Sequence, residues 1–106
     1  MAEAGERLRK LEQMLEKQPR DAFLLYGIAL EHKKAGHYPK AIDYLERVLR
    51  EDDGYCYAYF QRGQVYEAMG EVEAAKRAYR QGIDAAVKKG DAKARDELQG
   101  ALEMLG

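Results

Sequence analysis

Apolar positions along this 106-residue chain recur at three- and four-residue spacing and are broken at intervals by glycine or proline. Leu8, Leu11, Met14 and Leu15 form the first such stripe. A proline and an aspartate in "KQPRD" then stop one helix and cap the next, so the pattern predicts a helix over about 5–17. From Asp21, "AFLLYGIALEHKKAG" stays compatible with helix up to Gly36, a residue suited to a helix C-terminus. "HYPKAIDYLERVLREDDG" follows, with Pro39 in its first turn and Ile42, Leu45, Val48 and Leu49 on one face. "EVEAAKRAYRQGIDAAVKKG" carries Ala75, Tyr79, Gly82 and Ile83, and "DAKARDELQGALEMLG" carries Leu98, Ala101, Leu102 and Leu105 behind a capping Asp91.

One stretch reads two ways. In "GYCYAYFQRG", Tyr55, Tyr57 and Tyr59 alternate with Cys56 and Ala58, as in a half-buried strand. Its continuation places Tyr59, Gly63 and Tyr66 at i, i+4 and i+7 and stops at Gly70, and a lone strand between helices has no partner. The stretch therefore predicts the start of a helix. Six helices joined by short turns is the resulting expectation, with no strands.

The pattern repeats. Gly36 and Gly70 lie 34 positions apart, as do Ala41 and Ala75, and the residue classes between them keep step. Leu25 matches Tyr59, Tyr26 matches Phe60, Ala29 matches Gly63, Leu45 matches Tyr79 and Val48 matches Gly82. A helix-turn-helix unit of this length, with small residues at set places, resembles the tetratricopeptide repeat. Tyr59, Gly63 and Tyr66 fit the family's large, small and aromatic positions in the first helix of a unit; Leu25, Ala29 and His32 fit more loosely, His32 standing where an aromatic is usual. Ala41, Leu45, Val48 and Ala75, Tyr79, Gly82 serve the second helix. The proline that closes a unit is replaced by Asp53 and Val87.

The resemblance implies an all-α fold, an α-solenoid of stacked antiparallel helix hairpins. The expected organisation is a single domain over 1–106, with an N-terminal helix (5–20), repeat 1 (22–55), repeat 2 (56–89) and a C-terminal capping helix (91–105). Small side chains let the helix axes approach while Leu25, Tyr59, Leu45 and Tyr79 fill the grooves.

Composition narrows the function. A net charge of −1 gives no global field toward nucleic acid or an anionic membrane. The charged N-terminus reads neither as a secretory signal nor as a membrane span, and a single Cys fits a reducing compartment, so cytoplasmic residence is expected. The chain has no Ser, Thr, Asn or Trp. That removes a serine nucleophile and the hydroxyl that holds magnesium in a phosphate-binding loop, and it leaves helix caps to Asp, Gly or less usual residues. Cys56 sits near a predicted helix N-terminus, where a thiol is activated if a basic partner stands by; no such partner is near in sequence, and a packing role is expected. His32 and His37 are not spaced to share a helical face for zinc, and "REDDG" lacks the spaced oxygens of a calcium loop. The locally basic run from Lys76 to Arg95 holds one aromatic, Tyr79, which the repeat pattern places in the packing between helices, so none is left for base stacking. No enzyme activity, cofactor, metal, nucleic acid or membrane partner is expected.

At 100° per residue, Tyr59, Gly63 and Tyr66 point toward the partner helix, while Tyr57, Phe60 and Gln64 point well over 90° away. In the preceding unit Leu25, Ile28 and Ala29 face inward, and Phe23, Tyr26 and Leu30 occupy the other face. The family resemblance assigns that other face to a concave groove that holds peptides or partner helices. Phe23, Tyr26, Leu30, Lys33, Tyr57, Phe60, Gln61 and Gln64 are the candidate partner-binding residues. The cationic residues with which some family members take a peptide carboxylate are absent, since Tyr26, Gly27, Leu30, Phe60, Gln61 and Gln64 stand at those places. The expected function is a protein-protein interaction module for an apolar or aromatic-containing segment of a protein or peptide. Two alternatives stay open for the same face: cover by a terminal helix, or a homodimer formed with a second copy.

Overall fold

The computed structural model describes residues 2–106, with side chains from residue 5 onward. Six α-helices follow one another: α1 (Ala2–Lys17), α2 (Ala22–Lys34), α3 (Tyr38–Glu51), α4 (Cys56–Ala68), α5 (Val72–Lys89) and α6 (Ala92–Met104). No strand occurs among the described residues. "YCYAYF" is thus the first turns of α4, and its alternating tyrosines are distributed around a helix. The first helix begins a few residues before the expected start, since Ala2, Glu3 and Ala4 are good helix formers and nothing breaks the run.

Helix ends follow the sequence signals. Asp21 and Asp91 cap α2 and α6 by accepting from the backbone N–H of Leu24 (3.1 Å) and Ala94 (3.0 Å). α3, α4 and α5 start at His37, Tyr55 and Glu71 with no side-chain cap bond. At the other end, Gly36 and Gly70 take left-handed φ values of 79° and 77°. Each allows the next residue to donate back across the turn, His37 N–H to His32 C=O and Glu71 N–H to Tyr66 C=O, both at 2.8 Å. The 34-residue period is therefore present in the backbone as well as in the residue classes.

The chain divides into two compact units, Met1–Asp52 with α1, α2 and α3, and Asp53–Gly106 with α4, α5 and α6. In the first, α2 and α3 form a helix hairpin and α1 packs on α2. Leu24, Leu25, Ile28 and Ala29 of α2 and Ala41, Ile42, Leu45 and Val48 of α3 are buried. The buried Glu31 is reached by Arg7 of α1, Nε to Oε2 at 3.4 Å. Arg20, ahead of α2, donates to Glu51 at the end of α3 (2.8 Å), an exposed pair of small energetic weight.

In the second unit α4 and α5 form the hairpin, and α6 packs on α5 and touches α4. Cys56, Ala75, Tyr79, Ala86, Ala94 and Leu98 make its core, with Tyr57, Tyr59, Phe60, Tyr66, Ile83, Ala101, Leu102 and Leu105 packed around them. Gly63 has no side chain because the Tyr79 ring occupies that space: a Cβ there would lie 2.3 Å from a ring carbon. The Tyr79 hydroxyl donates to the Glu67 carboxylate one turn on along α4. Two lysines tie unit 2 together, Lys89 donating to Gly54 C=O (3.1 Å) and Lys76 to Gly106 C=O (3.4 Å).

Candidate functional site

Helical periodicity puts Phe23, Tyr26, Leu30 and Lys33 on one stripe of α2, about 15 Å long at 1.5 Å per residue. The four are not alike in the structure. Phe23, at the first turn, is 72% exposed, whereas Tyr26, Leu30 and Lys33 are half-buried. Burial pushes the Lys33 ammonium below the ordinary lysine range, because partial loss of water penalises the charged form. The stripe thus runs from an open aromatic ring to a partly desolvated cation.

The matching stripe on α4 is built into its own unit. Tyr57, Phe60, Gln61 and Gln64 are all half-buried. Tyr57 and Phe60 meet edge to face, with centroids 6.4 Å apart and planes at 66°, and Phe60 in turn meets the fully buried Tyr79 at 6.0 Å. The Tyr57 hydroxyl donates to Glu97 of α6 at 3.1 Å. Lost hydration and that carboxylate raise the Tyr57 pKa. Phe60 therefore contributes to the packing of unit 2 as well as to its surface, and α6 reaches the head of the stripe. Glu97 lies 40 positions from Tyr57, so no local pattern in the sequence signals this contact.

The other chemistry-bearing residues fall into structural places. Cys56 is 3% exposed, and its thiol is directed at Gly54 C=O (3.4 Å). His32 is buried and stacks on Tyr44 of α3 with ring centroids 5.5 Å apart, filling the position of an aromatic. In "REDDG", Glu51 is held by Arg20. Of the basic run, Lys76 lies beside Glu73 (3.6 Å) and Arg95 beside Asp96 (3.1 Å), while Arg77, Arg80, Lys88 and Lys93 are exposed. Among the described residues no group of three or more His, Cys, Asp or Glu side chains is arranged to hold a metal ion. No helix among them is long and apolar enough to cross a membrane. A hollow of about 340 Å³ on α1 is lined by Lys10, Gln13, Met14 and Lys17, residues that the sequence reading did not single out as a site.

A tetratricopeptide repeat family profile matches residues 57–88. A TPR repeat-containing protein of Pseudomonas aeruginosa is 30% identical over 95 residues, covering 90% of each chain. The chain belongs to the tetratricopeptide repeat family. The crystal structure of a tetratricopeptide repeat domain protein from Salinibacter ruber is similar over 80% of this TPR chain and 94% of its own, at 32% identity and a TM-score of 0.73. The TPR2B domain of yeast Sti1, solved in a complex with pHsp70, matches 98% of the TPR chain and 83% of its own with a TM-score of 0.89. At 15% identity that likeness speaks for the fold alone. The fold class is all-α, of the TPR-like α-solenoid type, and membership of the TPR family supports a protein-protein interaction module.

Proposed function

We propose that this TPR protein binds an apolar or aromatic-containing segment of a partner protein through the outer faces of α2 and α4, the faces that the family resemblance assigns to partner binding. The observation that carries the reading is Phe23: a phenylalanine 72% exposed at the head of a stripe that continues through Tyr26 and Leu30. Exposed aromatic rings of this kind supply the anchors of helix and peptide docking. On α4, Tyr57 and Phe60 add ring area, and Gln61 and Gln64 add directional hydrogen bonds. Lys33 stands at the far end of the α2 stripe. The repeats span 22–55 and 56–89, flanked by 5–20 and 91–105 in one domain over 1–106. The same reading makes the chain a non-catalytic cytoplasmic adaptor that takes no nucleic acid, in keeping with its net charge of −1.

The test is selection of binding sequences from a random peptide library displayed on phage, followed by titration of the selected peptides against the wild type, Phe23→Ala and Tyr26→Ala. Selected peptides should carry aromatic or branched apolar residues. Both variants should bind about 5- to 150-fold more weakly, the range of 1–3 kcal/mol for a buried anchor. Phe23→Ala should unfold in guanidinium as the wild type does. Equal affinity for wild type and variants refutes the assignment. Sedimentation over a wide concentration range covers the homodimer: a dimer that Phe23→Ala or Tyr26→Ala dissociates would make the second copy the partner.

A further inference from the structure

His32 occupies the place in unit 1 that Tyr66 holds in unit 2, 34 positions on, and it differs from an aromatic by carrying a titratable ring. The residue is 5% exposed. Its ring lies against Tyr44 at 20° between planes and 5.7 Å from the ring of His37, and its Nδ1 is buried without a hydrogen-bond partner. The His32 backbone C=O accepts from His37 N–H, so the ring sits where α2 turns into α3.

A neutral imidazole fits this place as a tyrosine ring would. A protonated one puts a charge, and a donor on Nδ1, where there is no acceptor. The surrounding charges do not compensate. Besides burial, Lys40 of α3 and His37 in the turn disfavour the cation, and Glu12 of α1 pulls the other way. Arg47 of α3 lies over the opposite partner of the stack, 4.9 Å from the Tyr44 centroid. On α2 itself Lys33 adds a further cation, and Glu31 is engaged by Arg7. The end of a helix ordinarily favours a histidinium by its dipole, and here burial outweighs it.

We propose that His32 is a pH-sensitive latch of unit 1: neutral, it packs between α2 and α3 as an aromatic residue, and protonation in mild acid weakens that hairpin and the α2 face it supports. The sign follows from proton linkage. The unfolded chain takes up the His32 proton near 6.5, and the folded chain only at lower pH. Stability is full above 6.5, declines as pH falls from there to the depressed value, and is constant below it. Over that window the folding constant falls by up to about tenfold per pH unit. Any effect on partner binding rests on the reading of α2 given above; the acid sensitivity of the hairpin does not.

The experiment is guanidinium unfolding, followed by far-ultraviolet circular dichroism, at pH 7.5 and 5.5 for the wild type, His32→Phe and His37→Gln, with NMR titration of the wild-type His32 ring. Carboxylates titrate mostly below this range, which isolates the histidines. The wild type and His37→Gln should lose stability between the two pH values, and His32→Phe should lose much less. The His32 ring should titrate below 6.5. Equal losses in wild type and His32→Phe, or a His32 midpoint at or above 6.5, overturn the proposal. Should His32→Phe not fold, the NMR midpoint decides alone. Library-selected peptides are then titrated at both pH values. Acid-sensitive folding with unchanged peptide affinity would leave the latch standing and overturn its extension to the α2 face.

Discussion

Gly63→Ala offers the sharpest test of the packing in unit 2. A methyl group at residue 63 would lie 2.3, 2.5 and 2.7 Å from three atoms of the Tyr79 ring, against about 3.5 Å for ordinary carbon contact. The ring has little room to withdraw, because Tyr79 is fully buried, lies against Phe60 and donates to Glu67. Overpacking of this kind costs about 1–3 kcal/mol, and the better helix propensity of alanine returns about 1 kcal/mol. A net loss of up to about 2 kcal/mol is expected from guanidinium unfolding. Gly100→Ala is the control: nothing lies within 4 Å of its added methyl, so the same exchange in α6 should stabilise by up to about 1 kcal/mol. Unit 1 supplies the rescue. In the register of the repeat, Ala29 and Leu45 stand where Gly63 and Tyr79 stand, and both are buried. Gly63→Ala combined with Tyr79→Leu should therefore lose less than the sum of the two single changes. A Gly63→Ala variant as stable as Gly100→Ala, or strict additivity in the double variant, would refute the close approach of α4 and α5 at this point.

Tyr79→Phe keeps the ring and removes the hydroxyl that donates to Glu67; since Glu67 is exposed and regains water, the expected cost is about 1 kcal/mol in the same assay. Burial, then the Glu67 bond, pushes the Tyr79 pKa well above the ordinary 10, so its stabilisation is complete below pH 10 and is lost as pH rises beyond it. Alkaline unfolding followed by circular dichroism should accordingly be shallower in Tyr79→Phe. Phe60→Ala should lose about 1–3 kcal/mol of folding stability through its contact with Tyr79, whereas Phe23→Ala should stay within about 0.5 kcal/mol of the wild type. Cys56 should react with a thiol reagent such as dithionitrobenzoate far more slowly in the native protein than in guanidinium, and equal rates would contradict its burial.

Much of this architecture is legible in the chain itself. Each helix is long enough for its apolar period to show, and several are bounded by residues that act for local reasons: a left-handed glycine after α2 and after α4, an aspartate side chain before α2 and before α6. The tyrosine run was ambiguous over six residues and clear over thirteen, since helical and strand periods separate only when the window includes Gly63 and Tyr66. The 34-residue offset likewise follows from residue classes alone, and with it the small-large pairs that let helices approach.

Tertiary structure decided what those periods leave open. Periodicity gives the direction of a side chain around its helix, and says nothing of which distant segment covers it. Phe23 and Phe60 read alike as outer-face aromatics; the first is open and the second is packed against Tyr79. Tyr57 acquires Glu97 from a helix 40 residues away. His32, in sequence a loose match to an aromatic position, proves to be a buried titratable ring without a partner for Nδ1. In each case the deciding quantity is the distance between elements far apart in the chain, set by how the helices pack together.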